Sequence, residues 1–335
     1  MHYCGIDISK PFFDAAIFDG THYQIEQFTN DIKGIKSFIQ WSSSISKQMC
    51  YCMEATGIYH IHLAKLLDQK NKQVAVVNPM KTHGFSKMEM QRNKTDVADA
   101  RMIARFCLYI HIQNQFDKYL FKPKSKQYET LTALVDRREQ LILLRCEENN
   151  SLQLNRCKTS IRSLKASVKF LDKQTAIIEK ELKQCQKNNP RIDSQVKLLL
   201  TIDGIGLVTA WTIIAYLGDI DDFMGAKKVA SYAGLTPRQI ESGISIKKSR
   251  LSKVGHKKLR KALYFPAIVA KQHNPLLKAK YEVLLASGKT KKTAICAIMR
   301  KLLVISYGVL KSGESFDPGY SKRQQLLSHA PAASR

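Results

Sequence analysis

Four acidic side chains have the type and spacing to do chemistry: Asp7 in the hydrophobic run His2–Ile8, Glu54 at the end of Met49–Glu54, and Asp96 with Asp99 in Lys94-Thr95-Asp96-Val97-Ala98-Asp99-Ala100. A helix turns once in about 3.6 residues, so Asp96 and Asp99 project from one helical face, and strand-borne Asp7 and Glu54 can meet that face from a central sheet. Clustered carboxylates repel and take up protons unless hard cations hold them, and Mg²⁺ prefers oxygen ligands. Two such ions roughly 3.5–4 Å apart can clamp the entering and leaving oxygens of a phosphodiester. The arrangement points to metal-assisted phosphoryl transfer on nucleic acid.

Plainer roles exist for each acid. Asp96 could cap a helix, Asp99 could face its dipole, and Asp7 and Glu54 could each be satisfied singly. Asp14, Asp203, Asp219, Asp221 and Asp222 read as turn or cap residues. His60, His62, His83 and His256 lack metal-ligand spacing and read as contacts to solvent or nucleic acid.

The elements that must position these acids alternate between strand and helix. Residues 2–8, 12–18 and 22–28 read as strands, with Asp19-Gly20 as a hairpin turn. A helix over 32–41, a strand over 49–54, a helix over 58–69, a strand over 73–77 and a helix over 95–108 follow. Three strands in meander followed by strand–helix alternation predict a mixed sheet covered by helices, the pattern of a ribonuclease H-like domain.

From Lys126 to Gln186 leucine, isoleucine and valine recur among charged residues with neither glycine nor proline, predicting long helices and a coiled-coil connector or a dimerising arm. Gly204-Ile205-Gly206 then precedes the apolar helix 207–217, a turn that exposes backbone N–H groups to phosphate as in helix-hairpin-helix modules, or one that is simply tight. Downstream come a Gly-Leu-Thr-Pro turn, a Ser-Gly tip and a basic stretch containing Arg238, Lys247, Lys248, Arg250, Lys253, Lys257 and Lys258, expected to hold phosphates around a hydroxyl. Helices are expected from 258 to 273 and from 291 to 310, and a poorly ordered tail after Phe316. The resulting division is a catalytic domain over 1–125, a connector over 126–190, a mainly helical domain over 191–315 and a tail over 316–335.

Composition favours a polyanionic partner. The 335 residues carry 54 Lys and Arg against 28 Asp and Glu, a formal charge of +26. Residues 1–105 hold 13 basic and 10 acidic side chains, so nearly all the excess lies downstream of the acidic site. No apolar run of about 18 residues is evident, which speaks against a membrane span, and no charged leader precedes an apolar region. The 8 cysteines form no Cys-x-x-Cys pair and read as core thiols of a reducing cytoplasm.

These motifs resemble the DEDD transposases of the insertion-sequence group that includes the pilin-gene invertases, the bridge-RNA-guided recombinases. The resemblance rests on Gly5-Ile6-Asp7-Ile8-Ser9-Lys10, Met53-Glu54-Ala55-Thr56-Gly57, Val77-Asn78-Pro79, Lys94-Thr95-Asp96-Val97-Ala98-Asp99-Ala100, Gly204-Ile205-Gly206 and Tyr232-Ala233-Gly234-Leu235-Thr236-Pro237-Arg238-Gln239, over nearly the whole chain. It implies an α/β N-terminal RuvC-like domain holding two Mg²⁺ ions, with Mn²⁺ as substitute, through Asp7, Glu54, Asp96 and Asp99. It also implies a mainly α C-terminal domain with a nucleophilic serine, which carries over to Ser242. Relatives place Ser or Thr before that serine and a second Gly after the first, where this chain has Glu241 and Ile244, so Ser245, Ser249 and Ser252 stay as alternatives. The family further implies donor and target DNA, a noncoding bridge RNA, a homodimer assembling to a tetramer on DNA, and a prokaryotic, nucleoid-associated location.

A serine hydroxyl is weak unassisted, so metals and a neighbouring cation such as Arg238, Lys247, Lys248 or Arg250 would have to polarise the phosphate. Two other functions use the same residues. A structure-selective RuvC-like nuclease would employ water and not need Ser242, and a non-catalytic nucleic-acid-binding protein would not need Asp7.

Overall fold

A computed structural model describes residues 1–55, 57–90, 95–242 and 246–319, and for 239–242 and 246–249 it describes the backbone alone. The chain divides into two compact units, 1–123 and 124–335.

The first unit is built on a five-stranded sheet. Strands β1 (His2–Ile8), β2 (Phe12–Phe18) and β3 (Tyr23–Thr29) form the meander, helix α1 (Ile32–Ile45) leads to β4 (Met49–Glu54), and α2 (His60–Gln69) leads to β5 (Gln73–Val77). The sheet order is β3-β2-β1-β4-β5, antiparallel across β3-β2-β1 and parallel across β1-β4-β5. Both faces are covered, as mixed sheets with crossover helices require. Cys4, Ile6 and Ile8 of β1 pack with Ile35 and Phe38 of α1 and Leu63 and Leu67 of α2. The alternate residue Tyr3 packs on the other face with Met102, Ile103 and Phe106 of a later helix. Strand periodicity therefore turns Gly5 and Asp7 toward that second face.

Two helices complete this face: α3 (Pro79–Met88) and α4 (Asp96–Ile112). The first is absent from the sequence expectation, although Asn78-Pro79 announces it: Asn78 caps by accepting from Met80 N at 2.9 Å, with Pro79 in the first turn.

The second unit opens with α5 (Lys126–Leu154) and α6 (Lys158–Lys187), packed on each other. Arg138 pairs with Glu179 at 2.7 Å and Arg145 with Asp172, a register that runs the two helices antiparallel. Then follow α7 (Pro190–Leu200), α8 (Leu207–Leu217), α9 (Ala226–Tyr232), strands β6 (Pro237–Ser242) and β7 (Ile246–Leu251), α10 (Lys257–Ala262), α11 (Tyr264–His273), α12 (Pro275–Ala286) and α13 (Lys291–Ser312). Three features depart from expectation. The basic stretch belongs to an antiparallel β-hairpin. The helix expected over 258–273 is broken at Leu263, because Pro266 has no N–H for the Ala262 carbonyl and its ring crowds that turn. A further helix, α12, begins at Pro275 behind the buried cap Asn274.

Helix α13 has the length and apolar content of a membrane-crossing helix, a property not anticipated from the sequence. It is a core helix of this unit: Ala294, Ile295, Ile298, Met299, Leu302, Leu303, Ser306, Val309 and Leu310 are buried, and it packs on α7, α9, α11 and α12. All eight cysteines are free thiols, with Cys4, Cys50, Cys52 and Cys107 buried in the first unit.

Candidate active site

In the first unit the acids gather where β1 and β4 end. These strands are parallel, with Ile6 opposite Met53, so Asp7 and Glu54 follow side by side at neighbouring C-terminal ends. The approach of α4 depends on Gly5: a Cβ there would stand 2.1 Å from Ala104 N and 2.3 Å from Ala100 O. Only glycine lets the helix lie this close to the strand, and the helix starts with Asp96 and Asp99 in its first turn. Thr95 caps it, Oγ1 accepting from Ala98 N at 3.2 Å. The positive end of the helix dipole thus faces the two aspartates.

Electrostatics record the convergence. The Asp7 carboxyl is pushed up from 3.8 to about 6, by burial first and then by Asp99, Glu54, Asp96 and Asp14. Glu54 is held by Thr82 of α3, whose hydroxyl donates to Glu54 Oε1 and also lies 2.9 Å from the Pro79 carbonyl. Thr82 is fully buried, and sequence reading missed it because its helix was missed. Asp14 was also misread as a turn or cap residue; it lies within β2, buried, directly opposite Asp7.

The donor chemistry fits a hard divalent cation: four carboxylates, one of them made protonation-prone by burial and then by the like charges that crowd it. Among the described residues no three His, Cys, Asp or Glu side chains are already arranged to hold an ion. Lys94 and Thr56, part of the motifs flanking these acids, lie outside the described residues.

In the second unit Ser242 ends β6, opposite Ile246, while Gly243, Ile244 and the alternative Ser245 lie outside the described residues. Ser249 is within β7 and Ser252 just beyond it. Arg238 and Arg250 are exposed and directly opposite each other across the hairpin. Facing like charges destabilise a strand pair, an arrangement that an anion would relieve. The hairpin root is fixed by a backbone ladder: Ser252 N donates to Thr236 O at 2.9 Å, Lys253 N to Gly234 O at 3.2 Å, and His256 N to Tyr232 O at 2.6 Å. At Gly255, φ is +142° and a Cβ would meet Tyr232 O at 2.4 Å, so the ladder requires glycine there.

His256, expected to contact solvent or nucleic acid, is half-buried and engaged within the unit. Its ring lies 4.3 Å from that of Tyr216 and 5.6 Å from that of Tyr232, and its Nδ1 accepts from Leu259 N at 3.2 Å to cap α10. Burial, then the Lys124 charge, lowers it from 6.5 to about 4. Among the expected phosphate contacts, Lys257 is exposed, whereas Lys258 donates to Asp136 at 2.5 Å, where Tyr216 OH also donates at 2.5 Å. Gly204 uses its φ of +99° for packing, since a Cβ would stand 2.6 Å from Ala270 Cβ, while Gly206 caps α8 exposed.

Comparison with known proteins decides the relationship. The transposase model of the DEDD IS110 type matches residues 4–155, and the model of the IS116/IS110/IS902 transposase family matches 196–282. The pilin gene-inverting protein of Moraxella bovis is 36% identical over 326 residues, 94% of this chain and 97% of that protein. The chain belongs to the IS110 transposase family. Its counterpart from Moraxella lacunata matches to the same extent, and the transposase for insertion sequence element IS1111A of Coxiella burnetii is 25% identical over 80% of this chain and 78% of that protein. In this IS110 transposase the DEDD-type match spans the whole acidic site and runs to the end of α5, and the second match spans α8 to α11 with the hairpin between. A DEDD transposase domain points to divalent metal use in general.

Proposed function

We propose that this IS110 transposase cuts and rejoins DNA strands through a covalent serine–DNA intermediate, with Mg²⁺ at the acidic site and a bridge RNA choosing donor and target. The observation that carries the metal part is geometric: Asp7 and Glu54 stand at neighbouring strand ends where α4 brings Asp96 and Asp99, and the four like charges crowd together. Asp7, Glu54, Asp96 and Asp99 would hold two Mg²⁺ ions, with Mn²⁺ as substitute. When bound, they supply polarisation of the scissile phosphate and stabilisation of the charge that develops on it. Thr82 orients Glu54, and the first turn of α4 presents Asp96 and Asp99.

Ser242 is the nucleophile. Its Oγ forms a bond to phosphorus as the bond from phosphorus to a deoxyribose oxygen breaks. The serine proton is lost and the departing oxygen ends as a hydroxyl; rejoining reverses these changes. Arg238 and Arg250, set against each other at the hairpin surface, are matched by a phosphate between them. Lys247, Lys248, Lys253 and Lys257 and the backbone at Gly204 and Gly206 add phosphate contacts, with Lys258 subordinate because Asp136 already engages it. The functional division is a catalytic domain over 1–125, a helical connector over 126–190, a serine-bearing domain over 191–315 and a tail beyond it. The net charge of +26 suits a complex with both DNA and RNA, assembled as a dimer that becomes a tetramer on DNA.

The test is cleavage of labelled donor and target DNA with the element's RNA. Dependence on Mg²⁺, with loss in both Asp7→Asn and Ser242→Ala, is expected. Cleavage that survives Ser242→Ala but not Asp7→Asn would identify a nuclease that uses water.

A further inference from the structure

Asp14 is buried at 7% exposure on β2 and stands directly opposite Asp7 on β1. Directly opposed residues of an antiparallel pair share a sheet face, with Cβ atoms about 5 Å apart. Its own cross-strand neighbour on the other side is Gln27 of β3, whose Nε2 donates to Asp14 Oδ1 at 3.2 Å and to Oδ2 at 3.3 Å. Gln27, Asp14, Asp7 and, past β1, Glu54 therefore form one row across three strand pairs, at the strand ends where α4 delivers Asp96 and Asp99.

A carboxylate this buried ordinarily has a cationic partner or is placed elsewhere. Among the described residues the only side-chain donor on Asp14 is a neutral amide, and both its oxygens share that one nitrogen. No packing requirement explains an acid here: on the same face of β2, Ala16 and Phe18 fill the next positions with apolar groups. The amide fixes the position of the carboxyl group beside Asp7 and brings no countercharge of its own. That is how a side chain set to strengthen cation binding must be held.

We propose that Asp14, oriented by Gln27, is a fifth carboxylate of the cation site, a positioning residue that raises the affinity for divalent ions by adding negative charge next to Asp7. This rests on the divalent-cation reading of the acidic site. One charge acting on a divalent ion across a cross-strand spacing in a water-like medium is worth on the order of tenfold in affinity.

Mn²⁺ binding to the full-length protein, followed by the loss of free-ion paramagnetic resonance signal, tests this without DNA or RNA. Asp14→Asn keeps the shape and an acceptor for Gln27 but removes the charge, and should weaken Mn²⁺ binding about tenfold. Gln27 is exposed, so Gln27→Lys can be made without disturbing the core; it puts a cation against Asp14 and should weaken binding in the same direction. Because it acts by sign of charge, unchanged binding in Gln27→Lys counts against Asp14 even if Asp14→Asn does not fold. Unchanged Mn²⁺ affinity in Gln27→Lys and in folded Asp14→Asn, with binding lost in Asp7→Asn, overturns the role of Asp14 alone. Binding that survives Asp7→Asn overturns the cation reading itself.

Discussion

Gly5 of β1 and Ala104 of α4 lie so close that a Cβ on Gly5 would stand 2.1 Å from the Ala104 backbone nitrogen. Helix and strand are in backbone contact, and that contact carries Asp96 and Asp99 to the strand end bearing Asp7. Gly5→Ala must push α4 away, because the obstructing atoms are backbone and cannot rotate aside. The expected cost is about 3 kcal/mol or more, the upper range for overpacking a rigid site. Urea denaturation would measure it, with strand cleavage falling even at temperatures where the variant is folded.

Thr82 supplies the hydroxyl that orients Glu54. Thr82→Val preserves shape and removes the donor, costing about 1–3 kcal/mol where the acceptor is left without a partner. Cleavage should drop and recover in Thr82→Ser. An unaffected Thr82→Val enzyme would mean that Glu54 needs no such support.

The acidic site makes a signed pH prediction. With Asp7 at about 6 against an ordinary 3.8, the folded protein holds this proton more tightly than the unfolded chain does. The metal-free first unit therefore gains stability as pH falls from about 6 toward 3.8, and carries the full penalty of the ionised site above that window. Asp7→Asn should raise the melting temperature of metal-free protein at pH 7 and flatten this dependence, although it abolishes cleavage. Added divalent ion should stabilise wild type and not the variant.

His256 pulls the second unit the other way. Lowered from 6.5 to about 4, it stays neutral when folded while the unfolded chain takes up a proton, so its contribution is complete above pH 6.5 and is lost as pH falls toward 4. His256→Gln should lower stability at pH 7 through loss of ring packing and remove this slope. Hydrogen exchange, which reports the two units separately, would show the opposed trends.

At the hairpin, Arg238→Ala removes one of two facing charges. Thermal stability should not fall, and can rise by about 0.5 kcal/mol. DNA affinity should weaken, with the salt dependence of binding reduced by roughly one unit of slope. Unchanged affinity and slope would take Arg238 out of the phosphate contacts.

Much of this was legible in the sequence because it is written in local pattern. The short hydrophobic runs His2–Ile8 and Met49–Glu54 assign Asp7 and Glu54 to strands, and the three-residue spacing of Asp96 and Asp99 puts both on one helical face. The long apolar periodicity without glycine or proline likewise announces α5 and α6. What was not legible depends on partners distant in sequence. Asp14 resembles any acid near a turn until β1 pairs with β2 and sets it opposite Asp7. His256 becomes a half-buried cap only when Tyr216 and Tyr232 close on it from two other helices. The β-hairpin was hidden because polar and charged residues dominate its strands and mask alternation. The break at Leu263 and the starts of α3 and α12 carried local proline signals that could have been read.

The covalent step is tested most directly by trapping it. Protein, RNA, labelled donor and target DNA and Mg²⁺ are quenched in denaturant, and any protein–DNA adduct is digested and mapped by mass spectrometry. A nucleotide attached to the peptide carrying Ser242, absent in Ser242→Ala and in Asp7→Asn, is the expected result. Cleaved DNA with no adduct on any serine, or an adduct on Ser245, Ser249 or Ser252, would contradict the assignment of Ser242.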